Sequence, residues 1–137
     1  MLFTGEFPHT LDSKQRMPVP AELRAQLERA GEVALFAAPG PNENIWLWPE
    51  STFERLASSL NDSLVPDMDQ LEFEEYLFSQ SRRLSIDSAG RIRLPETLLS
   101  RTGISRNVIV IGVRDHLELR DPNEWEKKRD EHVDQKG

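Results

Sequence analysis

The chain repeats itself. T-L-D-S-K-Q-R-M-P-V-P-A-E-L from Thr10 and S-I-D-S-A-G-R-I-R-L-P-E-T-L from Ser85 align under a shift of 75 residues. That shift superposes Asp12 on Asp87, Ser13 on Ser88, Arg16 on Arg91, Pro20 on Pro95 and Leu23 on Leu98, and carries Val33 onto Val108. It then drops to 72, setting Leu47 on Leu119, Phe53 on Trp125 and Glu54 on Glu126. The three lost residues fall in Pro39-Gly40-Pro41-Asn42-Glu43-Asn44, which is loop chemistry. A fold for this chain must therefore be built from two copies of one supersecondary unit. The repeats are expected at 1–62 and 81–137, with a connecting helical segment at 63–80.

Each copy reads as strand, short connection, strand, helix, two further strands and a closing helix, an α+β pattern of ββαββ type. Leu84 and Ile86 alternate before the second connection, and Ile92 and Leu94 after it. A five-residue connection, Asp87 to Arg91, sets Ile86 opposite Ile92 and Leu84 opposite Leu94, with all four on one face. The same register sets Leu11 opposite Met17 and His9 opposite Val19. Pro20 and Pro95 suit the first helical position. Leu23 and Leu27 follow at helical spacing to a stop at Gly31, and Leu98 and Leu99 lead toward Gly103. Phe53, Leu56, Ala57 and Leu60 form a second apolar stripe. Met68, Leu71 and Phe78 suggest one more helix with an acidic outer face, read as solvated.

The connections carry the chemistry. In D-S-K-Q-R and D-S-A-G-R the aspartate can accept backbone N–H groups two residues on, and Gly90 can take φ > 0. No turn needs a terminal arginine, yet Arg16 and Arg91 recur while glycine does not. The arginine fork suits phosphate oxygens or the O6/N7 edge of guanine. Net charge is −7, against the usual sign for a nucleic-acid binder. Charge placement decides, however. From Arg82 to Arg93 four arginines face one acid, Asp87, a local balance of +3. Lys14, Arg16 and Arg91 are the candidate DNA contacts, with Arg93, Arg83 and Arg82 supporting. Asp12, Ser13, Asp87, Ser88 and Gly90 shape the turns.

These motifs resemble the MraZ family, bacterial regulators of the division and cell-wall gene cluster related to AbrB-type domains. The resemblance runs from Gly5, His9, Leu11 and Asp12 to the L-E-L-R-D-P-N-E-W-E ending. Of the family's D-x-K-G-R, Asp12, Lys14 and Arg16 match, but Gln15 replaces the glycine. Asp87, Gly90 and Arg91 match in the second copy, with Ala89 at the lysine position. The resemblance implies interlocked half-domains in a pseudo-twofold swapped-hairpin β-barrel with packed helices. It also implies cyclic homo-oligomers and binding to direct repeats upstream of the operon. An assembly module with weak DNA affinity is the alternative.

Other chemistry finds little footing. The chain has no cysteine, so disulfides, thiolate catalysis and cysteine metal sites are excluded, and a reducing cytosol is the default compartment. His9, His116 and His132 lack ligand spacing and read as surface or packing residues. No nucleophile elbow or phosphate-binding glycine loop is present. No enzyme activity, metal, cofactor, small-molecule ligand or membrane partner is therefore expected, and a nucleoid location follows from the DNA reading. Trp46, Trp48 and Trp125 read as core or interface residues.

Overall fold

The two copies of the repeat exchange strands. The structure, a computed structural model, describes residues 1–60, 62–65 and 67–136. The order is β1 (Glu6–Thr10), β2 (Arg16–Pro18), α1 (Ala21–Arg29), β3 (Ala34–Pro39), β4 (Ile45–Pro49) and α2 (Glu50–Ser58). Then come α3 (Met68–Gln80), β5 (Arg82–Ser85), β6 (Arg91–Arg93), α4 (Glu96–Leu99), β7 (Asn107–Val113), β8 (His116–Arg120) and α5 (Pro122–Lys136). A six-stranded antiparallel sheet runs β1-β7-β8-β4-β3-β5, and β2 pairs with β6 in a separate ribbon. The first copy's opening strand thus pairs with β7 of the second, and the second copy's opening strand with β3 of the first.

The register is that of a pseudo-twofold axis. In the ribbon Met17 faces Ile92, its own equivalent under the shift of 75. In the large sheet Trp46 faces Glu118, its equivalent under the shift of 72. The axis runs through both pairs.

The expected hairpin register is corrected here. Ile86 does not oppose Ile92, nor Leu84 Leu94; Leu84 pairs with Leu35 of β3, and the Ile86 N–H donates to the Val33 carbonyl. Leu11 and Met17, and His9 and Val19, part in the same way: Met17 goes to Ile92 and His9 to Val108. Each turn keeps its own backbone bonds, Asp12 N–H to Arg16 O and Asp87 N–H to Arg91 O at 2.9 Å, with Gln15 N–H to Asp12 O at 3.0 Å and Gly90 N–H to Asp87 O at 2.9 Å. Alternation identifies which face a strand buries and is silent on which neighbour shares it. Nor is the large ladder closed into a barrel, since β1 and β5 stand at its two ends.

The face reading itself was right. Leu11, Met17, Val19, Leu84, Ile92 and Leu94 join one core with Leu35, Ile45, Leu47, Val108, Val110, Leu117 and Leu119 of the sheet. The ribbon, Leu23 and Leu27 of α1, and Leu98 and Leu99 of α4 cover this inner face. Met17 and Ile92 are both 1% exposed, so truncating either to alanine would forfeit about 2–5 kcal/mol. The prolines sit one place earlier than expected, as the residues preceding α1 and α4, where their carbonyls accept the first helical bonds. Gly31 ends the first helix at φ +74°, whereas α4 stops at Leu99, well short of Gly103.

The outer face of the sheet is a polar and aromatic layer under α2, α3 and α5. Phe36 stacks on Phe53 at 4.6 Å, and Trp46 on His116 at 3.8 Å. The helix expected from Met68, Leu71 and Phe78 forms, capped by the Asp67 carboxylate accepting the Asp69 N–H. None of its residues is buried, and Phe73 and Tyr76 are 58% and 47% exposed.

Candidate nucleic-acid interface

The two D-S-x-x-R turns have one geometry. Asp12 Oδ1 accepts the N–H groups of Lys14 (2.9 Å) and Arg16 (2.8 Å), and its Oδ2 accepts Arg16 Nε (2.8 Å). Asp87 Oδ1 accepts those of Ala89 and Arg91 (2.9 Å each), and its Oδ2 accepts Arg91 Nε (3.2 Å). The backbone bonds from Arg16 and Arg91, with their guanidinium charges, hold both carboxyls below the ordinary aspartate range. Each aspartate therefore shapes its turn and orients its arginine through Nε. The terminal amino groups of Arg16 and Arg91 make no hydrogen bond among the described residues. Ser13 and Ser88 are exposed, and their hydroxyls make none either. Their turn-shaping role as drawn from the sequence has no side-chain contact behind it.

The fourth residue of each turn takes the conformation that glycine favours. Gly90 has φ +79°, and Gln15 takes the same left-handed conformation at +62°. Each carbonyl accepts a bond from the other copy: Val19 N–H to Gly90 O and Leu94 N–H to Gln15 O, both 2.9 Å. Gln15 also donates from its side chain to Glu96. An added Cβ on Gly90 would overlap the Arg24 guanidinium, which lies over the turn from α1. We expect Gly90→Gln to lower the unfolding free energy by about 1–3 kcal/mol, from left-handed strain plus displacement of Arg24. Gln15→Gly should stay within about 0.5 kcal/mol, because relief of strain is offset by added chain entropy and a lost hydrogen bond. Denaturant titration of the two variants checks both values. A Gly90→Gln protein as stable as the parent would show that the second turn has room.

The ribbon places the arginines. Arg16 faces Arg93 across the two strands, and Pro18 faces Arg91, all on the side opposite Met17 and Ile92. Arg93 is exposed with no ion pair or side-chain hydrogen bond among the described residues, and the same holds for Lys14. Arg82 and Arg83 share a groove of about 350 Å³ with Gln15, Arg93 and Glu96. Both are partly committed: Arg82 donates to the Ser79 and Ser81 carbonyls, and Arg83 forks onto Glu50. Arg24 was missed in the sequence because its equivalent under the shift is Leu99, so the duplication does not flag it.

His116 is neither a surface nor a simple packing residue. It is 6% exposed. Its Nδ1 meets Asp115 at 2.9 Å and its Nε2 meets Glu118 at 3.0 Å. Glu118 also accepts from Asn44 Nδ2 and Arg120 Nε. Among the described residues no group of three or more His, Cys, Asp or Glu side chains is arranged to hold a metal ion. The tryptophans sit in this layer, Trp46 and Trp48 beside His116, and Trp125 donating to Glu6.

Comparison with known proteins identifies the family. The profile of the family described as "MraZ protein, putative antitoxin-like" matches residues 2–71 and 77–135. The chain is 33% identical over 129 residues to the protein named transcriptional regulator MraZ of Dehalococcoides mccartyi, covering 93% of this chain and 88% of that one. It is 30% identical over 118 residues to the MraZ regulator of Ureaplasma parvum, covering 86% and 80%. To that of Clostridium tetani it is 28% identical over 133 residues, covering 97% and 91%. A profile match over nearly the whole length, together with these relatives, places the chain in the MraZ family.

Proposed function

We propose that the chain is a sequence-specific DNA-binding transcriptional regulator, a repressor acting at direct repeats upstream of a bacterial division and cell-wall gene cluster. The observation that carries this reading is the pair of turns in which an aspartate fixes Nε of an arginine and leaves its terminal amino groups unbonded. A two-stranded ribbon fits the major groove, and an arginine fork fits guanine O6 and N7. Half-domains at 1–62 and 81–137, joined through 63–80, form the swapped-hairpin unit of the AbrB type; the exchange of β1 and β5 between copies supports this. The names of the relatives support the regulatory role. Among the described residues no helix is long and apolar enough to cross a membrane, and the chain acts at the nucleoid in the cytoplasm. It works as a closed homo-oligomer, without catalysis, cofactor or small-molecule ligand.

The test is retardation of DNA taken from upstream of the protein's own gene. Arg16→Ala and Arg91→Ala should each weaken binding by about 1–3 kcal/mol while thermal unfolding stays unchanged. Operator affinity untouched in both variants would reject these turns as the contact surface. The second reading, an assembly module with weak DNA affinity, is favoured by the exposed apolar residues of α3 and the −7 charge. It predicts an oligomer that leaves this DNA unshifted.

A further inference from the structure

The pseudo-twofold axis is obeyed by the backbone and broken by the charge. At the Gln15 end of the ribbon, Arg82, Arg83, Arg93 and Glu96 line a single groove with Gln15. Under the shift of 75 their mates at the other end are Phe7, Pro8, Pro18 and Ala21, beside Gly90. Three arginines and a glutamate thus stand where the mate positions carry no charge at all. The first turn adds Lys14, whose mate is Ala89. Across the ribbon Arg16 stands directly opposite Arg93, whereas Arg91 stands opposite Pro18. Like charges directly opposite in a sheet are destabilising. Asp12 takes up part of the Arg16 charge, but Arg93 has no ion-pair partner among the described residues. A fold that keeps such a pair at one end of a symmetric ribbon has a polyanion to place there.

We infer that each chain docks DNA one-sidedly: the groove lined by Arg82, Arg83 and Arg93 holds the phosphate backbone, and the other end, where Phe7, Pro8 and Pro18 take the mate positions and Arg24 is paired with Glu28, has no matching groove contact beyond Arg91 itself. This rests on the DNA-binding reading above. Phosphate contacts fix register and orientation, and base contacts specify. The groove therefore sets the polarity with which the chain lies on its site. Gln15 and Glu96 line the same groove, joined by the Gln15 side-chain donation to Glu96, and their remaining oxygens are acceptors of the kind that adenine N6 and cytosine N4 amino groups pair with. A pseudo-symmetric protein so charged reads a repeat in one direction, not a palindrome.

The chain lacks cysteine, so Ser13→Cys and Ser88→Cys give single attachment points for iron–EDTA on the intact protein. Bound to the upstream DNA of its own gene, the Ser13 conjugate should cut at one fixed position per repeat. The Ser88 conjugate should cut to one side of that position only, with the same offset in every repeat. Arg93→Ala should lower affinity about 5- to 150-fold and reduce the salt slope by about one ion, while Pro8→Ala leaves both unchanged. Cutting patterns that superimpose, or that run in both directions, in a protein that retards the DNA would overturn one-sided docking alone. An Arg93→Ala protein with parental affinity and slope would do the same. Failure of the parent to retard the DNA would instead remove the DNA-binding reading and this inference with it.

Discussion

His116→Ala should unfold at a temperature about 10 °C lower than the parent. Both ring nitrogens of His116 meet carboxylates, an arrangement that favours the imidazolium, the form in which both nitrogens donate. The ring lies flat on Trp46, at 3.8 Å and 14°, a cation on an aromatic face. Glu118 in turn takes Asn44 and Arg120. The cluster closes the sheet at the pseudo-twofold axis and ties one copy to the other. Removing one partner of a buried ion cluster costs about 3–5 kcal/mol. The low end applies here because the Asp115 side chain keeps 33% exposure. About 3 kcal/mol then converts to the stated shift at roughly 3–4 °C per kcal/mol. A melt within 2 °C of the parent would show that the cluster contributes nothing net.

The same cluster sets the sign of the pH dependence. Burial pushes the His116 imidazole down, but hydrogen bonds and charges from Glu118 and Asp115 outweigh it and leave the pKa raised above 6.5. Its contribution is whole below pH 6.5 and is lost as pH rises through the folded value. Burial of Asp115 and Glu118 raises their pKa values, yet their partners bring both below the ordinary range, so their share is lost only as pH falls through the acid region. Half-buried His9 has the opposite sign to His116: burial lowers its pKa, and it costs stability below pH 6.5. An alkaline loss of stability that sets in above pH 6.5 and is absent from His116→Gln therefore isolates this residue.

Much of this site was legible because it rests on local chemistry. An aspartate that opens a D-S-x-x-R connection between strands can close the turn on the backbone of its own arginine, and both copies do so here. Strand faces were legible for the same reason, since pleat alternation is a property of one strand. Strand partners were not. Ile92 buries the same face whether Ile86 or Met17 lies beside it, and only the assembled axis selects Met17. His116 escaped for a related reason: the shift of 72 carries Asn44 onto His116 and Trp46 onto Glu118, but only the assembled axis brings Trp46 against the ring and Asn44 against Glu118. Gln15 shows the limit of reading a turn from glycine alone. The backbone it needs is imposed from the other copy, through the Leu94 N–H, and glutamine accepts it.

Shortening the DNA from several repeats to one should weaken binding 10²- to 10⁴-fold. The argument starts from charge. A body of net charge −7 offers DNA a few arginines and Lys14. Non-specific affinity scales with phosphates neutralised, so one chain falls at or below the usual range of about 10⁻⁴–10⁻⁶ M. Tight binding then requires several ribbons presented together, and each further repeat is engaged at the effective concentration the first contact creates. The surface that could gather chains is visible. Phe73, Tyr76 and Leu77 of α3 border a groove with Pro39, Trp46 and Trp48, while Met68 and Phe73 are exposed. A heterologous contact of this kind closes into a ring when its rotation allows. Phe73→Glu should therefore yield smaller species by sedimentation and lose affinity for a multi-repeat fragment, with single-repeat affinity nearly unchanged. The His116 cluster lies on the same sheet face, so the variant's thermal melt must match the parent before that loss is read as lost assembly. A monomer at working concentration that binds one repeat as tightly as several would sink both the avidity argument and the ring.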